Sequence, residues 1–552
     1  MFHTTKGKRT RKVENTDKII NTTIAGLATD PKVFEEVKET AIKTLRIIEF
    51  KEAHPSLPLI IVMMGGTGTG KSTVFNGLIE HEISMTSVER PATGGGIFYC
   101  HEEHIPPLKE MIKPWWNNIL LLESGNISQP LSGEAGKITV VLHQDPDGWF
   151  IAIDSPDLDS LVEENEKAAL DFYLLADLIV FISSMEKYAD NRPLSQLKQA
   201  RLDEREVVFV LNKITPDVQS EEIHAQINNW GLTEEKGTFT LRRIQPVSVE
   251  GISSELGPFK KYIQDTIEKD SKKVRKKEIS AARKRLTFLQ ERLQKMISLE
   301  REAYDNHVLT LENTFLSVWS QLHNNLSMPK DPALKKVLKS HIKELYQKYD
   351  ILAPPRRLIS SVFKIPLRLM GILPPLEDKI GQDIKTLHHK TDMAPIVSAL
   401  TEYQLRVARE IKEGPFKRAL YEKKPEMDQD EVKELFQTSL KEVEVWLDER
   451  FKEMKRGMPA HKKAGMYSLS LAWGVVIVGI ESVTMGGLSI LEMAIDAALA
   501  PFVTGGTLEI FVLNEMKAIA RGLNERYTKV VRTVLTAQND RYLKILKDLQ
   551  PR

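Results

Sequence analysis

The chain has 552 residues, more than one hydrophobic core can organise, so two or three domains are expected. Its 77 Lys and Arg nearly balance 76 Asp and Glu, leaving a net charge of +1 and no global field that would argue for a nucleic-acid partner. A single cysteine, Cys100, rules out an internal disulfide and fits a reducing compartment.

The amino terminus, MFHTTKGKRTRKVENTDK, is basic but has no apolar core, so it does not read as a secretory signal and the chain is expected to be cytoplasmic. Residues 6–12 read as a solvated basic tail, with a weak membrane or nucleic-acid contact as the alternative. Residues 31–53 place apolar side chains three and four apart, the pattern of an amphipathic helix. LPLIIVMM (57–64) is a short apolar run ended by glycines, as a buried parallel strand should be. Strand-like runs follow at 137–142, 149–153, 177–183, 206–211 and 243–248, with helix-length segments between the later ones. This alternation predicts an α/β domain, a mainly parallel sheet with helices on both faces.

After about residue 255 strand signals stop, and Lys, Glu, Leu and Arg dominate. Apolar residues from Leu286 to Leu322 recur mostly at three- and four-residue steps. A helix over 265–325 would be about 90 Å long at 1.5 Å per residue, too long to pack on a compact domain alone. An elongated helical stalk or bundle is therefore expected, with further helices at 332–350, 378–415 and 428–456. The expected organisation is a tail and leading helix at 1–56, an α/β domain at 57–262 and a stalk at 263–463. An apolar hairpin at 464–514 and a returning helix at 515–552 complete it.

MMGGTGTGKST (63–73) contains the whole pattern G-x-x-x-x-G-K-[ST] in Gly65, Gly70, Lys71 and Ser72. Glycines at these positions let backbone N–H groups converge on phosphate oxygens, Lys71 reaches the outer phosphates, and the Ser72 hydroxyl ligates Mg²⁺. The match follows a strand and opens a helix, as that chemistry requires, and the helix adds the positive end of its dipole. Gly66, Thr67, Gly68, Thr69 and Thr73 complete the phosphate-binding stretch.

WFIAIDSPD (149–157) closes an apolar strand with Asp154, the expected metal-side carboxylate. Between these motifs lies ERPATGGG (89–96), in which Thr93 is the candidate to fold over Mg²⁺ and sense the terminal phosphate. Arg90, three residues earlier, suits an internal arginine finger or an ordinary surface or interface arginine.

VVFVLNKITPD (207–217) ends a strand in Asn212 and Lys213, resembling the guanine-reading N/T-K-x-D motif of P-loop GTPases, in which an aspartate accepts hydrogen bonds from guanine. Here Thr215 stands in the aspartate's place and Asp217 follows two residues later. Ser248 and Val249 resemble the next element of that family, whose backbone meets the guanine carbonyl. Guanine is the favoured base, with ATP as the alternative. The phosphate-sensing D-x-P-G of the family reads Asp154-Ser155-Pro156-Asp157 here. An acid in the glycine position repels a terminal phosphate unless it turns away, so slow hydrolysis without a partner or self-association is expected.

GGTGTGKST, RPATGG, DSPDLDS and NKIT, with ADLIVFISSMEKYAD at 176–190, resemble a dynamin-like GTPase of bacterial type, most strongly over about 57–255. The resemblance implies GTP and GDP with Mg²⁺ as ligands, GTP hydrolysis, self-association into dimers or larger assemblies, and action at a membrane. It extends nucleotide roles to residues 65–73, Thr93, Asp154, Asn212 and Lys213.

The helical part carries no comparable motif. Residues 464–480 form an uncharged run at the short end of the roughly 17–25 residues that span a bilayer, and Glu481, Glu492 and Asp496 interrupt any second span. A membrane-inserting hairpin, a buried hairpin in the bundle core and a two-pass transmembrane segment all fit. APPRRLISSVFKIPLRLMGILPP (353–375) places Arg356, Arg357, Lys364 and Arg368 among large apolar residues, which suits either an interfacial loop on anionic lipid or a proline-broken connector. The basic run at 269–285 lacks aromatic residues and reads as the solvated face of the long helix rather than a nucleic-acid stripe. HEEH (101–104) lacks the i, i+4 histidine spacing of a zinc helix and reads as surface loop. Two functions remain: a membrane-coupled GTPase at the inner face of a membrane, or a soluble nucleotide-regulated scaffold whose helical region binds protein partners.

Overall fold

The structure, a computed structural model, describes residues 19–86, 95–113, 118–134, 136–144, 150–158, 163–188, 190–215, 222–223, 225, 227, 237–242, 248–327, 393–457 and 510–552. The expectations for Arg90, Thr93, Asp217, the helix at 332–350, the 353–375 segment and residues 464–509 of the apolar hairpin lie outside these residues. Two compact units are present: 1–22 with 30–296, and 23–29 with 297–552.

The first unit is α/β. Helix α1 (Pro31–Ala53) starts on Asp30, whose carboxylate accepts from Lys32 N at 2.9 Å, with Pro31 supplying a pre-set φ at the first helical position. Strands β1 (Leu59–Met64), β2 (Gly96–His101), β3 (Ile119–Glu123), β4 (Ile138–His143), β5 (Phe150–Asp154), β6 (Leu178–Ser184), β7 (Val207–Ile214) and β8 (Thr238–Arg242) form one sheet. Its order is β3-β4-β2-β5-β1-β6-β7-β8. Described pairings are parallel except β2 with β5, which run antiparallel.

Helices α2 (Lys71–Ile79), α3 (Ile105–Ile112), α4 (Glu163–Leu175), α5 (Asn191–Leu202) and α6 (Val249–Glu255), with the first part of α7 (Gly257–Ser327), cover both faces. Every residue of β1 is buried for that reason, and its side chains alternate between two cores. Ile60, Val62 and Met64 pack with α1, α3, α4 and α5, whereas Ile61 and Met63 pack with α2, α6 and the start of α7. The expected fold class, a mainly parallel sheet between helices followed by a long helix, is the one observed.

Several boundaries differ from expectation. Among the described residues the last strand is Thr238–Arg242, and the strand expected at 243–248 lies outside them except for Ser248. Strands β2 and β3 have no counterpart among the expected strands, and β2 begins at the last residue of ERPATGGG. Gly96 opens it because a Cβ there would stand 2.2 Å from Phe172 Cζ. The expected helix at 378–415 is described only from Ala394 to Glu410. A second helix begins at Pro415, because the residue before a proline is driven out of the helical region.

The basic run at 269–285 is not a plain solvated face. Arg275 is buried and its Nη2 lies 2.8 Å from Asp177 Oδ2, while Lys51 Nζ of α1 lies 2.9 Å from Asp177 Oδ1. Arg205 Nε meets buried Glu278 Oε2 at 2.5 Å, and Lys277, Arg283, Lys284 and Arg285 pair with Glu206, Glu52, Glu204 and Asp203. Lying beside the amino ends of β1, β6 and β7, this stretch carries charges that answer those of the domain, a fact its own periodicity cannot reveal.

The second unit is helical. The rest of α7, α8 (Ala394–Glu410), α9 (Pro415–Lys423), α10 (Gln429–Gly457) and α11 (Ile510–Asp548) enclose one apolar core that includes Leu311, Phe315, Tyr403, Phe436, Val531 and Tyr542. Residues 23–29 join this unit through Glu300, whose carboxylate accepts N–H bonds from Gly26, Leu27, Ala28 and Thr29 at 2.6–3.3 Å. Among the described residues no helix is long and apolar enough to cross a membrane.

Candidate functional site

The carboxyl ends of β1, β5, β6, β7 and β8 share one edge of the sheet, where ligands bind in open α/β folds. There β1 turns through residues 65–70 into α2. Gly65, Gly68 and Gly70 take φ of 155°, 73° and 94°, values that disfavour any side chain. A Cβ on Gly65 would stand 2.1 Å from the Ile182 carbonyl oxygen, and one on Gly70 2.2 Å from Asn212 Nδ2. Thr69 Oγ1 donates to Gly66 O at 2.9 Å and closes the turn. The helix's first backbone bond runs from Val74 N to Gly70 O at 3.0 Å, so the N–H groups of Lys71, Ser72 and Thr73 have no intrahelical acceptor. Their dipole and the coiled glycine backbone make an anion cradle, with Gly66, Thr67, Gly68 and Thr69 on its rim.

Asp154 ends β5 in register with Met63 of β1, which brings it beside the first turn of α2. Ser72 Oγ donates to Asp154 Oδ2 at 2.7 Å. Ser84 Oγ donates to the same oxygen at 2.6 Å. Asp154 is fully buried, and its other oxygen, Oδ1, has no hydrogen-bond partner among the described residues. Burial pushes its carboxyl above the ordinary value, against the bonds from Ser84 and Ser72 and the Lys71 charge. A buried acceptor left over beside two hydroxyls is an all-oxygen donor set, which fits a hard divalent cation such as Mg²⁺.

Ser84 lies in none of the sequence motifs. It is held by Asn76 of α2, whose Nδ2 donates to Ser84 O at 2.7 Å and whose Oδ1 accepts from Ser84 N at 2.8 Å. Met85 N and Leu131 N bond to Leu131 O and Ile83 O at 2.9 and 2.7 Å, so the chain is fixed where it enters 87–94. A polar Asn on a helix face otherwise lined by Val74, Phe75, Leu78 and Ile79 was the available signal.

Asp157 does not turn to solvent. It is buried, and its Oδ1 pairs with Lys71 Nζ, which also donates to Gly66 O at 3.1 Å. Ser155 Oγ donates to Met63 O at 2.6 Å and Leu158 N to Gly65 O at 3.2 Å, anchoring the turn on either side of Asp157.

Asn212 and Lys213 also reach the cradle. Asn212 Nδ2 donates to Thr69 O at 3.0 Å and its Oδ1 accepts from Lys213 N at 2.8 Å. Lys213, at φ 63°, sends Nζ to Gly68 O at 2.7 Å. Thr215 directly follows β7. Ser248 caps α6, its Oγ accepting from Gly251 N at 3.1 Å, and Val249 is the helix's first residue. The structure thus assembles Gly65, Lys71, Ser72, Asp154, Asn212 and Lys213, and adds Ser84 and Asp157.

No protein-family model matches the chain, nor does any curated protein sequence. Among the solved structures that resemble it are two of an oligomerised bacterial dynamin pair, described as providing a mechanism for the long-range sensing and tethering of membranes. They share 11% and 12% identity with TM-scores of 0.34 and 0.33, each comparison covering 94% of this chain and 90% of the other.

Proposed function

We propose that this chain is a dynamin-like GTPase that binds and hydrolyses GTP with Mg²⁺ and couples that cycle to self-association and membrane binding. The observation that carries the reading is the meeting of Ser72 with Asp154 at 2.7 Å beside a glycine-walled loop whose Lys71 serves the same pocket. Residues 65–73 wrap the phosphates, and Lys71 with the backbone N–H groups holds the outer ones in line for attack by water. Ser72, Asp154 and Thr93 would hold the cation, with Ser84 fixing the Asp154 carboxylate. When bound, Mg²⁺ supplies positive charge against the charge that gathers on the phosphate oxygens. Arg90 is the candidate for further charge in the transition state.

Asn212 Nδ2 is committed to Thr69 O of the loop and its Oδ1 to Lys213 N, while Lys213 Nζ reaches Gly68 O, so the two residues serve by tying β7 to the cradle. Purine choice then falls to Asp217 and to the turn at Ser248 and Val249. The 464–514 hairpin and the basic 353–375 segment are the candidate lipid contacts, which would place the protein at the inner face of a membrane.

The pairing of Asp157 with Lys71 favours a second reading, a soluble scaffold with slow turnover. Phosphate release from GTP and ATP, measured with and without anionic liposomes and with Lys71→Ala as blank, separates the two. GTP-specific release that rises on liposomes is expected. Release indifferent to lipid, or equal for ATP, would favour the scaffold. Lipid co-sedimentation lost when 471–480 is made polar locates the contact.

A further inference from the structure

Lys71 is the group that must meet the outer phosphates, and its ammonium is already met by a carboxylate. Asp157 is 8% exposed and Lys71 5%, so water screens this pair little. Nor is Asp157 a surface side chain that happens to fold inward. Ser155 and Leu158, on either side of it, are hydrogen-bonded to Met63 O and Gly65 O, and Pro156 restricts the backbone between them. The acid is therefore built into the end of the cradle that receives the terminal phosphate.

We infer that Asp157 selects between nucleotides by phosphate number. The inference rests on reading the cradle as a nucleoside-phosphate site. A triphosphate brings more negative charge to Lys71 than a diphosphate, and brings it against a carboxylate whose turn cannot easily withdraw. The triphosphate must take the ammonium from Asp157 and then lie beside the displaced acid, whereas a diphosphate places less charge there. The site therefore holds diphosphate in preference to triphosphate. The charge on Asp157, rather than the volume of its side chain, sets the ratio.

The test is equilibrium binding of GDP and of a non-hydrolysable GTP analogue, each with Mg²⁺, to the full-length chain and to Asp157→Asn and Asp157→Gly. The wild type is expected to bind the diphosphate more tightly. Asn, which keeps the shape and removes the charge, is expected to tighten the triphosphate on the order of tenfold or more and the diphosphate by less than about threefold, given the strength of buried like-charge contacts. Gly is expected to shift the ratio in the same direction. A wild type that prefers the triphosphate overturns the inference without any variant. So does a ratio unchanged by both substitutions, with binding intact. If no purine nucleotide binds any of the folded proteins, the nucleotide site itself fails, and this inference with it.

Discussion

Asn212 Nδ2 lies 3.0 Å from the carbonyl oxygen of Thr69, a bond that ties β7 to the glycine loop. The same amide stands where a Cβ on Gly70 would be, at 2.2 Å, and Gly70 sits at φ 94°. Gly70→Ala therefore pays twice, in backbone strain and in lost loop anchorage. Nucleotide binding is expected to fall below detection while the fold, judged by thermal unfolding, persists. Binding within about threefold of wild type would show that the loop tolerates the displacement.

Ser84→Ala removes one of the two hydroxyls that orient Asp154. A charge-assisted hydrogen bond of this kind contributes about 1.5–3 kcal/mol, so the Mg²⁺ concentration for half-maximal nucleotide binding should rise about tenfold. Asn76→Ala should act in the same direction by releasing Ser84. Titration of Mg²⁺ at fixed nucleotide reads both; an unchanged midpoint would remove Ser84 from the site.

Asp177→Asn removes the buried carboxylate that Lys51 and Arg275 share. Breaking a buried pair in this way costs about 3–5 kcal/mol, which urea unfolding should show. Burial alone would raise the Asp177 carboxyl, but Lys51 and Arg275 together outweigh it and hold it below its ordinary 3.8. A depressed carboxyl contributes stability that is complete above its unfolded value and drains as pH falls through its folded one. The stability gap between wild type and variant should accordingly narrow below about pH 4.

Glu300→Gln keeps one acceptor but discharges the carboxylate that four backbone N–H groups share. A loss of about 2 kcal/mol is expected in the helical unit, with faster proteolysis at residues 23–29. Unaltered cleavage there would mean that other contacts hold the segment.

Gly522 packs against the ring of Trp446, with a Cβ there 2.7 Å from the ring atoms Cη2 and Cζ2. Gly522→Ala should cost about 1–3 kcal/mol by overpacking, despite the better helix propensity of alanine. A stabilised variant in thermal unfolding would show that α10 and α11 can separate at no cost.

Local chemistry was legible in the sequence. Gly65 to Ser72 carry their own requirement for positive φ and a helix start, and the apolar run of β1 signals burial on both faces. Asp154 could be assigned because it ends a strand. The long helix was readable from its period, although its basic stretch was not, since Arg275 reveals its role only beside Asp177, 98 residues away in sequence. Likewise, Ser84 and Asp154 are separated by 70 residues and Lys71 and Asp157 by 86. What the chain by itself determined is therefore the conformation of the glycine loop and the kinds of element that surround it, because both follow from neighbouring residues. Only the tertiary structure decided that Asp157 turns inward to Lys71 and that Ser84 completes the Asp154 cluster. Those contacts depend on the order and register of strands in the sheet, and spacing along the chain does not encode them.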